Sequence, residues 1–447
     1  MRIVIVGAGI GGLVAALSLH AAGHRDLSVV ERVRELRPLG VGINLLPHAV
    51  RELTELGLGE AVAGIGVPPT RLAYFNRHGQ PIWSEPRGLD AGYRWPQLSV
   101  HRGEFQMLLV DEVERRLGSG TVRQGLRLTS VDHGDGRRPE VARFADEAGD
   151  EVALEADVVI AADGIHSAIR RQHHPDEGAP VWNGLILWRG TALVPEYLDG
   201  RTMIMAGDGE QKFVAYPLSA PDAPAGRSRV NFIAERRAPE GTEAQSDWNR
   251  PVDPPPIVDQ FADWRFDWLD VPGLIDAAEA VYEYPMVDRN PLPSWTRGSV
   301  TLLGDAAHAM YPNGSNGASQ AILDARTLAH RLATEPTIDA ALAAYEAERR
   351  PATTRLLEMT RRLGPEQVMQ LAYERAPEGF ADVHDVIPQA ELERIASEYK
   401  LAAGFDPARL NDRPSLGVAV GSPVVSAGSA GSAGSTGTTS ASSTRGA

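Results

Sequence analysis

Residues 2–31, RIVIVGAGIGGLVAALSLHAAGHRDLSVVE, decide the fold. Residues 2–6 are a β-branched run that reads as a strand. Gly7, Gly9 and Gly12 then set a G-x-G-x-x-G turn, with Gly11 inside it. Leu13, Ala16, Leu17 and His20 follow at helical spacing, Gly23 reads as the C-cap, and residues 27–30 form a second strand ending at Glu31. In such a unit the first glycine makes the tight turn. The second lets the backbone approach a pyrophosphate, and the third lets helix and strand pack closely. The helix N-terminus directs free N–H groups and its positive dipole end at the phosphates. Glu31, 19 residues past Gly12, is placed to accept hydrogen bonds from an adenosine ribose, with Arg32 beside it. A carboxylate there disfavours a 2′-phosphate, which leaves NAD or FAD; this turn alone does not choose.

Composition narrows the classes. The formal net charge of -15 argues against nucleic acid, whose phosphates need a basic face, and supplies no polybasic membrane anchor. The absence of cysteine excludes disulfides, thiolate metal sites and cysteine nucleophiles. No apolar run approaches the roughly 20 residues of a membrane span, so no membrane insertion is expected and the cytoplasm is the expected compartment. The basic residues are nearly all Arg, with Lys only at 212 and 400, so a single Arg is weak evidence of a special role.

Further along, residues 45–58 and 102–117 read as helices, and short strands with turn signals, among them HGDGRR at 133–138, occupy 121–160. Residues 180–235 are strand-rich (185–189, 202–205, 213–216, 229–234), as for a second, mixed or antiparallel sheet. Residues 236–256 read as a Pro-rich surface loop, 257–278 as a helix and 281–286 as a strand. Helices are expected at 338–364, 365–374 and about 389–402. From 421 the chain is Gly, Ser and Ala-rich, a composition that cannot bury a core and reads as a flexible tail. His173, His174, Asp176 and Glu177 lack the helical i, i+4 pairing of familiar zinc sites and read as a solvated loop, so no metal is expected.

Two further glycine turns complete the pattern. Residues 158–170, VVIAADGIHSAIR, end a strand in Asp163-Gly164 and place Ser167 and Arg170 at helix-start spacing. Residues 304–325, GDAAHAMYPNGSNGASQAILDA, follow a strand and open a helix through Pro312, Asn313, Gly314, Ser315, Asn316 and Gly317. FAD is long, and a single strand–helix–strand unit holds only its adenosine and pyrophosphate. Gly304 and Asp305 offer a second strand end for the ribityl chain, and the turn at 312–317, with Ala318, offers a helix N-terminus to the flavin ring.

In this order the three motifs, spread over residues 1–370, resemble the signature of the class A flavoprotein monooxygenases, the FAD-dependent aromatic hydroxylases. ILWRG at 186–190 is most similar to the phenazine hydroxylase branch. The family usually carries a Gly-Gln-Gly-like sequence where this chain has Gly-Ser-Asn-Gly, so contacts of that Gln do not transfer. The resemblance implies an α/β fold: a Rossmann-like FAD-binding domain interwoven with a mixed-sheet substrate domain, plus C-terminal helices, like p-hydroxybenzoate hydroxylase. The FAD domain is expected over 1–75, 100–178 and 287–365, and the substrate domain over 76–99 and 179–286. A helical extension at 366–420 and the tail at 421–447 complete the expected organisation.

The resemblance also implies chemistry. NADH or NADPH reduces FAD transiently, O2 adds at flavin C4a, and the resulting hydroperoxide hydroxylates a small aromatic or fused heteroaromatic, phenazine-like substrate. N-oxidation, epoxidation, or a dehydrogenase, oxidase or reductase on the same scaffold are alternatives. Gly42 and Ile43, in a Gly-rich loop at 40–44, are expected across the flavin from the 312–317 turn, and Arg102 matches a position that contacts FAD in relatives. Met205, Trp188, Arg189, Phe213, Tyr216 and Tyr311 are candidate substrate walls, aromatic and Met faces suiting a flat ligand. His308 is expected beside the flavin or in a structural role. No general base is identifiable, and a monomer or homodimer is expected.

Overall fold

The computed structural model describes residues 1–134, 138–220, 226–242 and 250–418. The expected tail at 421–447 and parts of the 133–138 turn and the 236–256 loop lie outside the described residues. A six-stranded sheet forms the first layer, in the order Thr296–Arg297, Val300–Leu302, Val158–Ala161, Arg2–Val6, Asp26–Val30, Val122–Arg123. All neighbours run parallel except the first pair. The strand Arg2–Val6 is central because it is apolar on both faces, as a strand covered by helices on both sides must be. The helices Ile10–Ala21, Arg102–Leu117 and Gly317–Thr334 pack on this layer, with Leu13, Leu17, Phe105, Leu109, Ile322 and Leu328 all buried in one core.

The second layer is an eight-stranded sheet, ordered Arg250–Val252, Ala278–Asp288, Val181–Pro195, Arg227–Arg237, Gln211–Pro217, Thr202–Gly207, Arg71–Phe75, Pro81–Pro86. It is antiparallel but for the pair Thr202–Gly207 and Arg71–Phe75. One face carries an aromatic core of Phe213, Phe232, Phe261 and Trp264. The other packs Leu187, Met203 and Met205 toward the C-terminal helices, which contribute Val368, Met369, Leu392 and Ile395.

Several expectations need correction. Residues 257–278 are not one helix: a short helix Pro255–Gln260, the hairpin Arg265–Phe266/Leu269–Asp270 and a helix Val271–Asp276 replace it. Pro272 cannot donate inside a continuous helix, and it sits at the start of the last piece. The supposed loop at 236–256 contains the edge strand Arg250–Val252. The Gly-rich loop at 40–44 is largely the strand Gly42–Leu45, paired with Leu98–His101. A Cβ on Gly42 would stand 2.7 Å from Tyr216, so glycine there serves close packing. The strand Arg71–Phe75 sits in the second sheet although it was expected in the opening segment of the first domain. The 173–177 stretch is not simply solvated either, for Glu177 pairs with buried Arg170 and His174 Nε2 lies 3.1 Å from Ser294 O.

Candidate active site

The carboxyl ends of three parallel strands meet at one crevice, where open α/β sheets bind ligands. Gly7 follows the first strand with φ +106, and a Cβ there would lie 2.3 Å from Ala162 O. A Cβ on Gly12 would meet Gly7 O at 2.0 Å. These two glycines are fixed by packing, whereas a Cβ on Gly9 would meet no protein atom within 4 Å. Gly9 is also the N-cap of the helix Ile10–Ala21 and has no side-chain cap, so the first-turn N–H groups face the crevice. Glu31 braces the turn: Oε2 accepts from Ala8 N at 2.8 Å and Oε1 from Val33 N at 2.9 Å.

Two cavities run from this turn. One, of about 640 Å³, is lined by Gly7, Glu31, Arg32 and Asp163. The other, of about 370 Å³, lies between the strand ends and the second sheet, and is lined by Gly42, Ile43, Gly304, Asp305, Gly317 and Ala318. Pro312, Asn313, Ser315 and Asn316 also border it. Gly9, Arg102, Ala162 and Gly164 line both, so the two are continuous. Arg102 is solvent-accessible on the walls of both cavities; enclosure by those walls pulls its guanidinium pKa down, opposed by the Asp305 carboxylate. Asp305 is likewise solvent-accessible on the wall of the second cavity, where enclosure pushes its pKa up, with His308 and Arg102 opposing. Asp163 Oδ2 accepts from Ala168 N at 2.8 Å, but its Oδ1 is buried with no partner among the described residues.

The turn after the third strand is held by a buried network that sequence reasoning missed. Asp324 Oδ2 accepts from Gly304 N at 3.0 Å and lies 2.6 Å from His308 Nε2, while Oδ1 accepts from Arg349 Nε at 2.7 Å. Burial alone would raise the Asp324 pKa, but His308 and Arg349 bring it down to about 2. Arg349 also donates to Gln320 Oε1 at 2.6 Å. Gln320 in turn donates to Asn316 Oδ1 at 3.3 Å, and Asn316 donates to Tyr399 Oη at 2.6 Å. Tyr399, from the helix Gln389–Ala403, donates to Asn313 O at 3.0 Å. Gly314 packs against Tyr399 and does not line the cavity, since a Cβ would fall 2.0 Å from its hydroxyl. Arg170 is fully buried, donates to Ala306 O (3.0 Å), Ala307 O (2.8 Å) and Asn290 O (2.7 Å), and pairs with Glu177. It ties the second glycine motif to the third.

On the sheet side, Met205, Arg189 and Tyr216 of the sequence candidates line the second cavity, joined by Val214, Ile233 and Glu235. Cross-strand register explains the set: Met205 opposes Val214, Val214 opposes Ile233, and Ile233 opposes Arg189, one row across one face. Arg189 donates to Gly42 O at 3.0 Å and lies 5.9 Å from the Tyr284 ring centre. Trp188 and Phe213 are corrections. Successive side chains alternate faces, so both enter the aromatic core behind the sheet, where Trp188 donates to Glu283 (2.8 Å) and Phe213 stacks on Phe232. Tyr311 is buried in the cluster containing Met286 rather than on the cavity wall, and burial pushes its pKa up to about 12.

The geometry fits an elongated dinucleotide. A second uncapped helix N-terminus, at Asn316–Gly317, opens on the far cavity, and a Cβ on Gly317 would meet nothing within 4 Å. Two sets of free N–H donors thus stand along one continuous channel, with an orphaned Asp163 oxygen beside it to accept a hydroxyl.

Comparison with known proteins agrees. A family model described as an FAD binding domain matches residues 1–182 and 279–360. A phenazine 1,6-dicarboxylic acid hydroxylase of Lysobacter antibioticus is 46% identical over 366 residues, covering 80% of this chain and 89% of that protein. A 3-amino-4-hydroxybenzoate 2-monooxygenase of Streptomyces cremeus is 32% identical over 374 residues, covering 82% and 87%. Among solved structures, an HpxO variant of Klebsiella pneumoniae complexed with FAD superposes with a TM-score of 0.70 at 25% identity, covering 91% of this chain and 100% of that one.

Proposed function

The chain belongs to the FAD-binding family of flavoprotein aromatic hydroxylases, and from that premise we propose that its substrate is a planar, fused heteroaromatic carboxylic acid of the phenazine class. The enzyme is an FAD-dependent monooxygenase acting on aromatic substrates, with NAD(P)H as reductant. Bound FAD supplies the oxygen activation. The row Met205–Val214–Ile233–Arg189 carries the substrate reading: three apolar side chains form a flat wall and end in one cation. A tricyclic ring fits the wall, and a ring carboxylate pairs with Arg189, whose orientation is fixed by Gly42 O.

The remaining assignments follow the channel. Glu31 and Arg32 hold the adenosine end. Gly9 and the first-turn N–H groups of the helix Ile10–Ala21 meet the pyrophosphate with Arg102. Asp163 and Asp305 accept hydroxyl donors from the sugar and ribityl portions. The N-terminus of the helix Gly317–Thr334 lies at the ring, where its positive end favours negative charge by about 0.3–1 kcal/mol, up to about 2 kcal/mol when partly buried. Gly42 and Ile43 close the opposite side, and the apolar wall excludes water. Gly7, Gly12 and Gly314 act through packing rather than contact. Among the described residues no helix is long and apolar enough to cross a membrane. We place the enzyme in the cytoplasm, where its reductant is regenerated, as a monomer or homodimer.

The test is turnover of purified, FAD-loaded enzyme with NADH and with NADPH, against phenazine-1,6-dicarboxylic acid, phenazine-1-carboxylic acid and salicylate. Phenazine-dependent oxidation of the nicotinamide, with one 18O atom from 18O2 in the product, is the expected result. Salicylate turnover with no response to either phenazine would sink the substrate assignment.

A further inference from the structure

One charged cluster on the substrate sheet has no part in the reading above. Lys212 and Glu235 oppose each other on neighbouring strands, with Lys212 Nζ 2.9 Å from Glu235 Oε2 and also within hydrogen-bonding distance of Glu366 Oε2. All three side chains are buried. Glu235 and Glu366 line the substrate-side cavity, and all three residues line a second cleft of about 10 Å³. That volume holds about one water. The cleft reaches Asp208 and Glu210, and Glu210 is exposed. Asn313, from the turn beside the flavin site, lines both spaces. Its Nδ2 donates to Thr360 O at 3.0 Å, while its buried Oδ1 has no partner among the described residues. This acceptor is open to a hydrogen bond from water in the corridor.

The reaction class requires such a corridor. Substrate, O2, NAD(P)H and one proton give hydroxylated product, water and NAD(P)+. The hydride supplies two electrons and one hydrogen, and the second hydrogen of the departing water comes from solvent. A cavity closed by its substrate needs an entry route for that proton.

We propose that Glu235, with Glu366 and Lys212, is the proton entry of the active site, carrying a proton from the cleft at Asp208 and Glu210 into the substrate cavity. The O–H bond of the Glu235 carboxyl breaks as its proton enters the cavity, and the carboxylate is reprotonated by water in the cleft. Lys212 stays charged and positions both carboxylates. Two carboxylates sharing one cation favour retention of a proton by one of them. Burial raises the Glu235 pKa, Lys212 opposes and Glu366 adds to the rise. Burial would lower Lys212, but the two carboxylates carry it above its ordinary value. Arg189 faces Glu235 from the neighbouring strand, Tyr74 and Tyr399 face Glu366, and Asp208 and Glu210 stand at the cleft.

The test rests on the phenazine reading for its probe. With FAD-loaded enzyme and phenazine-1,6-dicarboxylic acid, product formed per NAD(P)H oxidised is measured against pH over the whole range in which the holoenzyme stays folded. Wild type is expected to lose coupling as pH rises and Glu235 ionises. Glu235→Gln is expected to make product about 10²-fold more slowly with a flat pH profile, while FAD content and phenazine affinity stay within about twofold; Glu235→Asp restores part of the rate. Infrared spectra of the oxidised enzyme without substrate provide an independent readout: a protonated-carboxyl band that titrates in wild type and is absent from Glu235→Gln. Unchanged coupling and pH profile in Glu235→Gln, or no such band, would overturn the relay. If the phenazine fails as a substrate for wild type while the band is present, the substrate assignment fails and the proton-holding site stands. Should Glu235→Gln not fold, Glu235→Asp, which keeps a carboxyl, is expected to shift the protonated-carboxyl band and the pH midpoint of coupling, and an unchanged band and pH profile in it would overturn the relay.

Discussion

Asp324 is the residue whose loss is easiest to cost. Its carboxylate is fully buried and serves Gly304 N, His308 and Arg349 together. Asp324→Asn removes the counter-charge of a buried arginine, and breaking a buried pair by removing one partner costs about 3–5 kcal/mol. The fall of its pKa from 3.8 to about 2 corresponds to roughly 2 kcal/mol. The lower figure weighs more here, because Arg349 keeps its bond to Gln320 Oε1 in the variant. A loss of about 2–4 kcal/mol is expected at pH 7 from urea unfolding followed by tryptophan fluorescence. A depressed carboxylate pKa stabilises the fold above its unfolded value, and that contribution is lost as pH falls through the folded one. The difference between wild type and variant should therefore shrink between about pH 4 and pH 2. The second readout is FAD affinity. Gly304 N loses an ionised acceptor, worth about 1.5–3 kcal/mol, so the Kd for FAD should rise about tenfold or more. Adding Arg349→Met to Asp324→Asn should cost less than the sum of the two single changes. A variant that unfolds within 1 kcal/mol of wild type and binds FAD equally well would refute the network's role.

Three further outcomes are expected. Gly9→Leu should leave the apoprotein's melting temperature nearly unchanged and raise the FAD Kd at least tenfold, because the side chain enters the cradle and meets no protein atom, whereas Gly12→Ala should destabilise the fold itself, read by calorimetry. Phe213→Ala should cost about 3–5 kcal/mol of stability with unchanged substrate affinity, while Arg189→Met should raise KM for a phenazine carboxylate at least tenfold and spare FAD content. Burial lowers the His48 pKa to about 3. The unfolded chain therefore binds the extra proton below about pH 6.5, and stability should fall by about 1.4 kcal/mol per pH unit from there toward pH 3; His48→Gln should flatten that slope in acid denaturation.

The glycine turns were legible because backbone geometry is written directly into residue type: only glycine accepts φ +106 with Ala162 O at 2.3 Å, as at Gly7. The strands of the second sheet were legible for a similar reason, as runs of apolar and β-branched residues. Their facing was not. Trp188 and Phe213 attracted attention as aromatics, yet Phe213 and Tyr216 stand an odd number of positions apart on one strand and cannot share a face. Counting by two from Tyr216 would have selected Val214 instead. The buried network left a trace too. Asn316, Gln320 and Asp324 recur every four residues from the N-cap into the helix Gly317–Thr334, which places three polar groups on one buried stripe. Arg349 stayed hidden, and Arg170 was read only for its helix-start spacing, because arginine is this chain's default cation. Pro272, taken seriously, would have divided the expected helix at 257–278.

Tyr399 gives the architecture an order in time. The turn at 312–317 is fastened by a hydroxyl from a helix that ends at Ala403, and Arg51 of an early helix donates to the carbonyls of Leu410 (2.9 Å) and Arg413 (2.6 Å). A ribosome moving from N- to C-terminus finishes the adenosine cradle hundreds of residues before it makes these fasteners. A nascent chain is able to grip one end of its prosthetic group early, but the redox end receives its support only after Tyr399 has been made.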